Sequence, residues 1–133
     1  MEAIPFTTLT LSILPSSSLR VMPFILKYTN SSALEFMPVA RVSNLASTID
    51  TLKKENVWVV GADMDGENTI YTHDFSGAVA IVVGSEGKGL SRLVKEKCDF
   101  IVRIPMFGQI NSLNASVAAA LMIYEVVRHR NGI

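Results

Sequence analysis

The chain has 133 residues, of which 49% are apolar and 18% are charged, as is typical of one packed globular domain and not of a disordered tail. Twelve basic residues balance twelve acidic ones, which excludes a protein that holds nucleic acid by bulk positive charge alone. The single cysteine, Cys98, excludes an intrachain disulfide framework and a cysteine-rich zinc site, and it favours a reducing, cytoplasmic setting.

The first 28 residues differ in composition from the rest of the chain. They are rich in Ser, Thr and Pro, and their charged residues are Glu2, Arg20 and Lys27. A secretory signal would need basic residues before its apolar stretch, and here the first basic residue follows it. Pro15 and the serines after it also cut the apolar run far below the roughly 20 residues that span a bilayer. We therefore expect no membrane association, and we predict strands in LTLSIL and VMPFIL.

From Asn44 onward the sequence alternates between helical and strand patterns. NLASTIDTLKKEN predicts a helix behind an Asn or Ser cap, and VWVVGAD predicts a buried strand. A brief strand is predicted in IYTHDF, a fully apolar strand in AVAIVVG and a third in FIVRIP. GLSRLVKEKC predicts a short amphipathic helix. Because helices alternate with continuous apolar strands, we predict an α/β fold with a mainly parallel sheet and helices on both of its faces.

The final helix is predicted in NSLNASVAAALMIYEVVRHR. One stripe of this helix, at helical spacing, contains Leu113, Val117, Leu121 and Tyr124. The helix also carries more apolar side chains than one stripe needs, which favours a second apolar contact. These additional residues are drawn from Leu121, Met122, Ile123, Val126 and Val127.

Three loops follow the predicted strands, at the edge of a parallel sheet where ligands bind. They are GADMDGE, GSEGKGL and PMFGQINSLN. In the second loop, two residues separate Gly84 from Gly87 where a P-loop needs four, and the order of the glycines is the reverse of the dinucleotide fingerprint. A phosphate cradle is therefore disfavoured, whereas a tight turn and a binding loop both stay open.

The third loop places several uncharged amide and hydroxyl groups just before the final helix. One residue, Asn111 or Ser112, would suffice to cap that helix. Because several such groups are present, the pattern favours a binding loop over a cap alone.

Two of these segments together resemble a known family. VVGSEGKGL followed by IPMFGQINSLNASVAAALMIYEV resembles motifs two and three of the SpoU (TrmH) family, the S-adenosylmethionine-dependent RNA 2′-O-ribose methyltransferases with the SPOUT fold. The similarity covers about residues 29–133 and is strongest to the branch that methylates a guanosine of large-subunit rRNA. It implies a SPOUT methyltransferase domain over 29–133, after a divergent or truncated segment at 1–28. It also implies a C-terminal trefoil knot, in which the chain from about residue 105 passes through the loop that ends near Gly84.

The resemblance also implies a site. In this family the bent cofactor is held by main-chain groups, so the loops need glycine for close approach more than they need charge. The implied cofactor contacts are Gly84, Ile104, Met106 and Leu113. The residues implied around the attack of a ribose 2′-oxygen on the methyl group are Glu86, Ser112 and Asn114. RNA contact would depend on local basic groups, namely Arg41, Lys88, Arg92 and Arg103, and no metal is implied.

One family feature is missing from the sequence. The catalytic arginine of the family lies in a motif one of the type N-x-G-A-I-x-R, and this chain contains no such stretch. We expect a truncated or rearranged family member that pairs as a homodimer through its last helix. Three functions stay open: an RNA 2′-O-methyltransferase that prefers rRNA to tRNA, a non-catalytic module that binds the cofactor and RNA, and an unrelated α/β nucleotide-binding domain.

Overall fold

The described residues form a five-stranded sheet with three helices. The computed structural model describes residues 10–14, 42–84 and 87–133. The strands are β1 (Thr10–Leu14), β2 (Trp58–Ala62), β3 (Asn68–Thr69), β4 (Val79–Val83) and β5 (Phe100–Arg103). The helices are α1 (Leu45–Lys54), α2 (Arg92–Lys97) and α3 (Ala115–Asn131). None of these three helices combines the length and the apolar character that crossing a membrane requires.

The sheet is mainly parallel, with strand order β1-β4-β2-β5-β3. Strand β2 lies in the middle and pairs in parallel with β4 and with β5, and β3 pairs in parallel with β5. Only β1 among the described strands is antiparallel, with Thr10 opposite Val83 at one edge. The predicted fold class and the strand in LTLSIL are confirmed, whereas the predicted strand in VMPFIL lies outside the described residues.

Helices α1 and α2 cover one face of the sheet. Ile49 and Leu52 of α1 are buried there with Val59, Ala80 and other apolar side chains of β2 and β4. The first turn of α1 is capped by Asn44, whose Oδ1 accepts a hydrogen bond of 3.1 Å from the backbone N of Ser47. Capping of this kind satisfies a backbone donor that the helix itself leaves free.

Helix α3 covers the opposite face, and its buried side differs from the predicted stripe. Val117, Leu121 and Tyr124 are 46%, 42% and 71% exposed, so these three face outward, whereas Leu113 precedes α3 and packs against the core. The residues that pack on the sheet are instead Ala118, Ala119, Met122 and Val126. The small alanine side chains let the helix backbone approach the sheet closely, and Met122 then fills the space beyond them. Met122 and Val126 are thus core residues and are not available to a partner.

The prediction of a brief strand in IYTHDF was wrong. Strand β3 ends at Thr69, and the backbone N of Ile70 makes one further hydrogen bond to the Arg103 carbonyl. The backbone N of Thr72 then donates to the Thr69 carbonyl, which closes a turn and ends the pairing. Apolar residues of this segment are still buried, since Ile70 and Phe75 are 3% and 0% exposed. Burial in a turn produced the apolar pattern that resembled a strand.

Candidate functional site

A cavity of about 480 Å³ lies at the carboxyl edge of the sheet. It is formed where the loops after β2, β4 and β5 meet, as expected for a ligand site in a parallel sheet. The residues on its β2 and β4 sides include Ala62, Asp63, Asp65, Val83, Gly84, Lys88 and Gly89. The residues on its β5 and α3 sides include Ile104, Met106, Asn111, Ser112, Leu113 and Ala118. The three loops named from the sequence therefore surround one cavity.

Gly84 lies where two stretches of backbone pass very close to each other. A Cβ atom added to Gly84 would lie 2.2 Å from both the carbonyl carbon and the carbonyl oxygen of Gly89, and 2.7 Å from the backbone N of Leu90. These are backbone atoms, which cannot turn away as a flexible side chain could. Glycine is therefore required at this position by close approach, as the glycine-rich pattern suggested.

Asp63 follows β2 directly, lines the cavity and hydrogen-bonds to the segment that precedes α2. Its Oδ2 accepts a hydrogen bond of 3.1 Å from the backbone N of Leu90, and its Oδ1 accepts one of 3.1 Å from the backbone N of Asp65. The Nζ of Lys95 lies 3.0 Å from Oδ1. Burial raises the pKa of Asp63, but the hydrogen bonds from Leu90, Lys95 and Asp65 together outweigh it and hold the pKa below its usual value.

Sequence reasoning missed both Asp63 and Lys95. The loop GADMDGE was named as a candidate, but none of its residues received a role. An acidic residue placed directly after a central parallel strand is a signal that could have identified Asp63. Lys95 carries no comparable signal, because a lysine on a short helix is usually a solvated surface residue.

Arg103, the last residue of β5, also holds the loop after β2. Its Nη1 donates to the carbonyl oxygens of Gly66 at 2.7 Å and of Glu67 at 2.9 Å. Gly66 is again held by close approach, since an added Cβ would lie 2.5 Å from the carbonyl carbon of Val102. The guanidinium that the sequence offered for RNA contact is thus used within the fold.

The structure brings most of the predicted site residues to the cavity. All four implied cofactor contacts line it: Gly84, Ile104, Met106 and Leu113. Ser112 and Lys88 line it as well. Arg92 does not, because its side chain is 91% exposed on α2 and pairs with Glu96 at 2.8 Å. Glu86 and Arg41 lie outside the described residues.

Asn114 has a structural role that the sequence assigned to its neighbours. It is the N-cap of α3, and its Oδ1 accepts hydrogen bonds from the backbone N of Ser116 at 2.9 Å and from the Ser116 hydroxyl. The sequence had indicated Asn111 or Ser112 as possible caps of this helix. Both are exposed at the cavity instead, so their polar groups can reach a bound ligand.

A mainly parallel sheet with a cavity beside Gly84 at its carboxyl edge defines an α/β domain in which the cavity has the position and size of a small-ligand site. The family model described as the SpoU rRNA Methylase family matches residues 9–124. The chain is 51% identical over 104 residues to YacO of Bacillus subtilis (strain 168), which is assigned by name to the TrmH family of tRNA/rRNA methyltransferases. That match covers 78% of this chain and 42% of the relative. The chain belongs to the SpoU methylase family.

Two solved structures share this fold. The SpoU methyltransferase AviRb of Streptomyces viridochromogenes, in complex with AdoMet, matches with a TM-score of 0.69 and 32% identity, over 76% of this chain and 42% of that one. An AdoMet-bound rRNA methyltransferase of Sinorhizobium meliloti matches with a TM-score of 0.64 and 31% identity, over 70% and 36% of the two chains. The chain thus spans about two fifths of the length of the curated relatives it matches.

Proposed function

We propose that this chain binds S-adenosylmethionine and serves the methylation of a ribose 2′-oxygen in RNA, with rRNA guanosine as the target. Membership of the SpoU family and two relatives solved with AdoMet support this proposal. The observation that carries it is the close approach at Gly84, which forms a wall of backbone atoms beside the cavity. Family membership also argues against the third function left open by the sequence, an unrelated nucleotide-binding domain.

The cavity suits this cofactor in size and in lining. Ligand pockets commonly measure about 300–1,000 Å³ and are mostly apolar with a few polar groups. Ile104, Met106 and Leu113 supply apolar surface for the flat adenine, and the backbone beside Gly84 can pair with its polar edge. When bound, the cofactor supplies the methyl group that the ribose oxygen attacks.

The residues of this chain would contribute mainly by positioning. A 2′-hydroxyl is a weak nucleophile, so holding it in line with the methyl group and helping to remove its proton provide much of the rate. The Ser112 hydroxyl is exposed at the cavity, where it can orient the ribose. We keep Glu86 and Asn114 as partners in this task.

RNA contact is proposed for Lys88, Arg92 and Arg41. Lys88 is exposed and lines the cavity, so its ammonium group can meet a phosphate near the reacting ribose. The ion pair of Arg92 with Glu96 is solvent-exposed, and such pairs contribute little stability. Arg92 can therefore exchange Glu96 for a phosphate at small cost.

We propose a homodimer that pairs through the exposed side of α3. Its outward stripe contains Val117, Leu121, Tyr124 and Val127, each at least 42% exposed. Contiguous exposed apolar side chains of this kind commonly mark an interface. The trefoil knot, a domain boundary near residue 29 and a cytoplasmic location remain predictions that accompany this proposal.

Calorimetry with S-adenosylmethionine and with ATP tests the proposed function. We expect S-adenosylmethionine to bind and ATP to bind at least a hundredfold more weakly, because the loop lacks the features of a phosphate cradle. Binding of ATP alone would contradict the assignment. Methyl transfer to rRNA and to tRNA would then be measured on this chain and on a version with motif one restored. Transfer by neither version, with cofactor binding intact, would favour the non-catalytic module.

Substitutions of Asn114 separate its two roles. Asn114→Ala should lower the free energy of unfolding by about 1 kcal/mol, because the N-cap of α3 is lost. Asn114→Asp should keep the cap, since aspartate caps helices as well as asparagine does. If Asn114 also positions the ribose, both variants in the chain with motif one restored should lose methyl transfer by about a hundredfold. Full activity of Asn114→Asp would leave the residue with its capping role alone.

A further inference from the structure

We propose that Asp63 is a positioning residue that fixes the backbone of Gly89 and Leu90 beside the cavity, and that Lys95 in turn holds Asp63. This inference rests on the proposed function, because it concerns the same cavity. Its basis is a set of contacts that connect the ends of two neighbouring strands.

The backbone of Asp63 is fixed before its side chain acts. Its backbone N donates to the Val102 carbonyl at 2.9 Å, so the pairing of β2 with β5 continues one residue past Ala62. The side chain then reaches toward the loop that follows β4, the neighbour of β2 on its other side. Asp63 therefore contacts the segments on both sides of β2. Its backbone bonds to β5 on one side, and its carboxylate contacts the segment before α2 on the other.

On the side of β4, the carboxylate packs against backbone. Its Oδ2 accepts from the Leu90 backbone N at 3.1 Å, and a Cβ added to Gly89 would lie 2.6 Å from the same oxygen. Gly89 also has a φ of +65°, which favours glycine. The Gly89 carbonyl is in turn the group that passes closest to Gly84. Asp63, the segment 89–90 and Gly84 thus form one packed unit beside the cavity.

Lys95 completes the arrangement from α2. Its Nζ lies 3.0 Å from Asp63 Oδ1 and 2.8 Å from Asp65 Oδ2. The side chain of Asp63 is 8% exposed, whereas that of Asp65 is 80% exposed. A buried carboxylate without partners is costly, so the ion pair and the backbone donors keep Asp63 in one orientation. The exposed pair with Asp65 adds little by comparison.

Asp63 acts through the loop and not through the ligand. Both of its oxygens already accept hydrogen bonds from the protein, and little of its side chain reaches the surface. Its effect on a ligand is to fix the backbone at Leu90 and Gly89 before binding, which lowers the ordering cost of binding.

The first test uses NMR to measure the hydrogen-exchange rate of the Leu90 amide in the protein without ligand. In Asp63→Ala we expect this amide to exchange at least tenfold faster, while amides inside β4 change less than threefold. Asp63→Asn keeps an acceptor oxygen and should restore most of the protection. Lys95→Met should accelerate exchange at Leu90 by a smaller factor, and it serves as the second variant if Asp63→Ala does not fold. Asp65→Ala is the matched control and should leave Leu90 unchanged.

The second test is the affinity for S-adenosylmethionine, measured by calorimetry on the same variants. We expect Asp63→Ala to weaken binding at least tenfold and Asp63→Asn less than threefold. Weaker binding with unchanged exchange at Leu90 would show a direct ligand contact and overturn the positioning role. Unchanged exchange in both Asp63→Ala and Lys95→Met would also overturn it. If the unsubstituted chain binds no S-adenosylmethionine, the proposed function fails, and the Leu90 exchange still decides whether Asp63 holds the loop.

Discussion

Gly84→Val is expected to abolish binding of S-adenosylmethionine, with affinity lowered at least a hundredfold. Even the first side-chain carbon would lie 2.2 Å from the backbone of Gly89, so this segment must move away and the cavity wall is lost. Val83 and Gly84 lie at the end of a fully buried strand, so the added branch cannot turn outward into solvent. Calorimetry measures the affinity, and circular dichroism shows whether the sheet persists.

Gly77→Asn is the matched control for this substitution. Gly77 lies at the other end of β4, away from the cavity; it is exposed, has a φ of +79°, and an added Cβ there would have Trp58 Cδ1 as its nearest contact, at 3.9 Å. Asparagine tolerates this backbone region better than most residues do. We expect Gly77→Asn to bind within about threefold of the unsubstituted chain, a difference of under about 0.7 kcal/mol. Normal affinity of a folded Gly84→Val variant would refute the close-approach explanation.

Met122→Ala is expected to lower the free energy of unfolding by about 2–5 kcal/mol, as large-to-small changes in a core do. Met122 is 0% exposed and packs with Val60, Ile81 and Val102 on the α3 face of the sheet. The neighbouring substitution Leu121→Ala should change the same quantity by only about 0.5 kcal/mol, because Leu121 is 42% exposed. Urea unfolding followed by circular dichroism gives both values.

Equal losses in the two variants would contradict the observed orientation of α3. Leu121 is also part of the proposed dimer surface, so the unfolding is best measured at several protein concentrations. A midpoint of Leu121→Ala that no longer depends on concentration, when that of the unsubstituted chain does, would point to the interface.

The sequence predicted those parts of the fold that depend on local patterns. Asn44 and the spacing of Leu45, Ile49 and Leu52 predicted a helix in NLASTIDTLKKEN, and α1 lies within that stretch. The run from Val79 to Val83 is buried along its whole length, so its apolar sequence alone sufficed to predict β4 as a fully apolar strand. Continuous strands alternating with helices then sufficed for a mainly parallel sheet.

The orientation of α3 could not be read in the same way. Apolar side chains lie on most sides of this helix, so its periodicity does not mark a single buried face. The choice depends on how closely the backbone can approach the sheet, and Ala118 and Ala119 allow it where Val117 and Leu121 would not. Such shape matching involves residues of other strands and has no local signature.

The candidate site was predictable in outline and less so in detail. The glycines and the uncharged loop before α3 carry recognisable motifs, and all four cofactor contacts implied by them line one cavity. The contact of Asp63 with Lys95 joins residues that are distant in the sequence, and its polar groups resemble ordinary surface charges. That pair has a role only because the fold brings the loop after β2 against α2.

The strand order has a consequence for the timing of folding. Both partners of the central strand β2 follow it in the chain, and the edge pair joins Thr10 to Val83. Contacts between such distant segments form slowly, because a long loop must lose conformational entropy on closing before the strand pairing can stabilise it. During synthesis, β2 leaves the ribosome with neither neighbour yet made, and the cavity also needs Ala118 of the last helix. The cavity is therefore complete only after Ala118 has emerged, and until then the apolar strands stay exposed to aggregation.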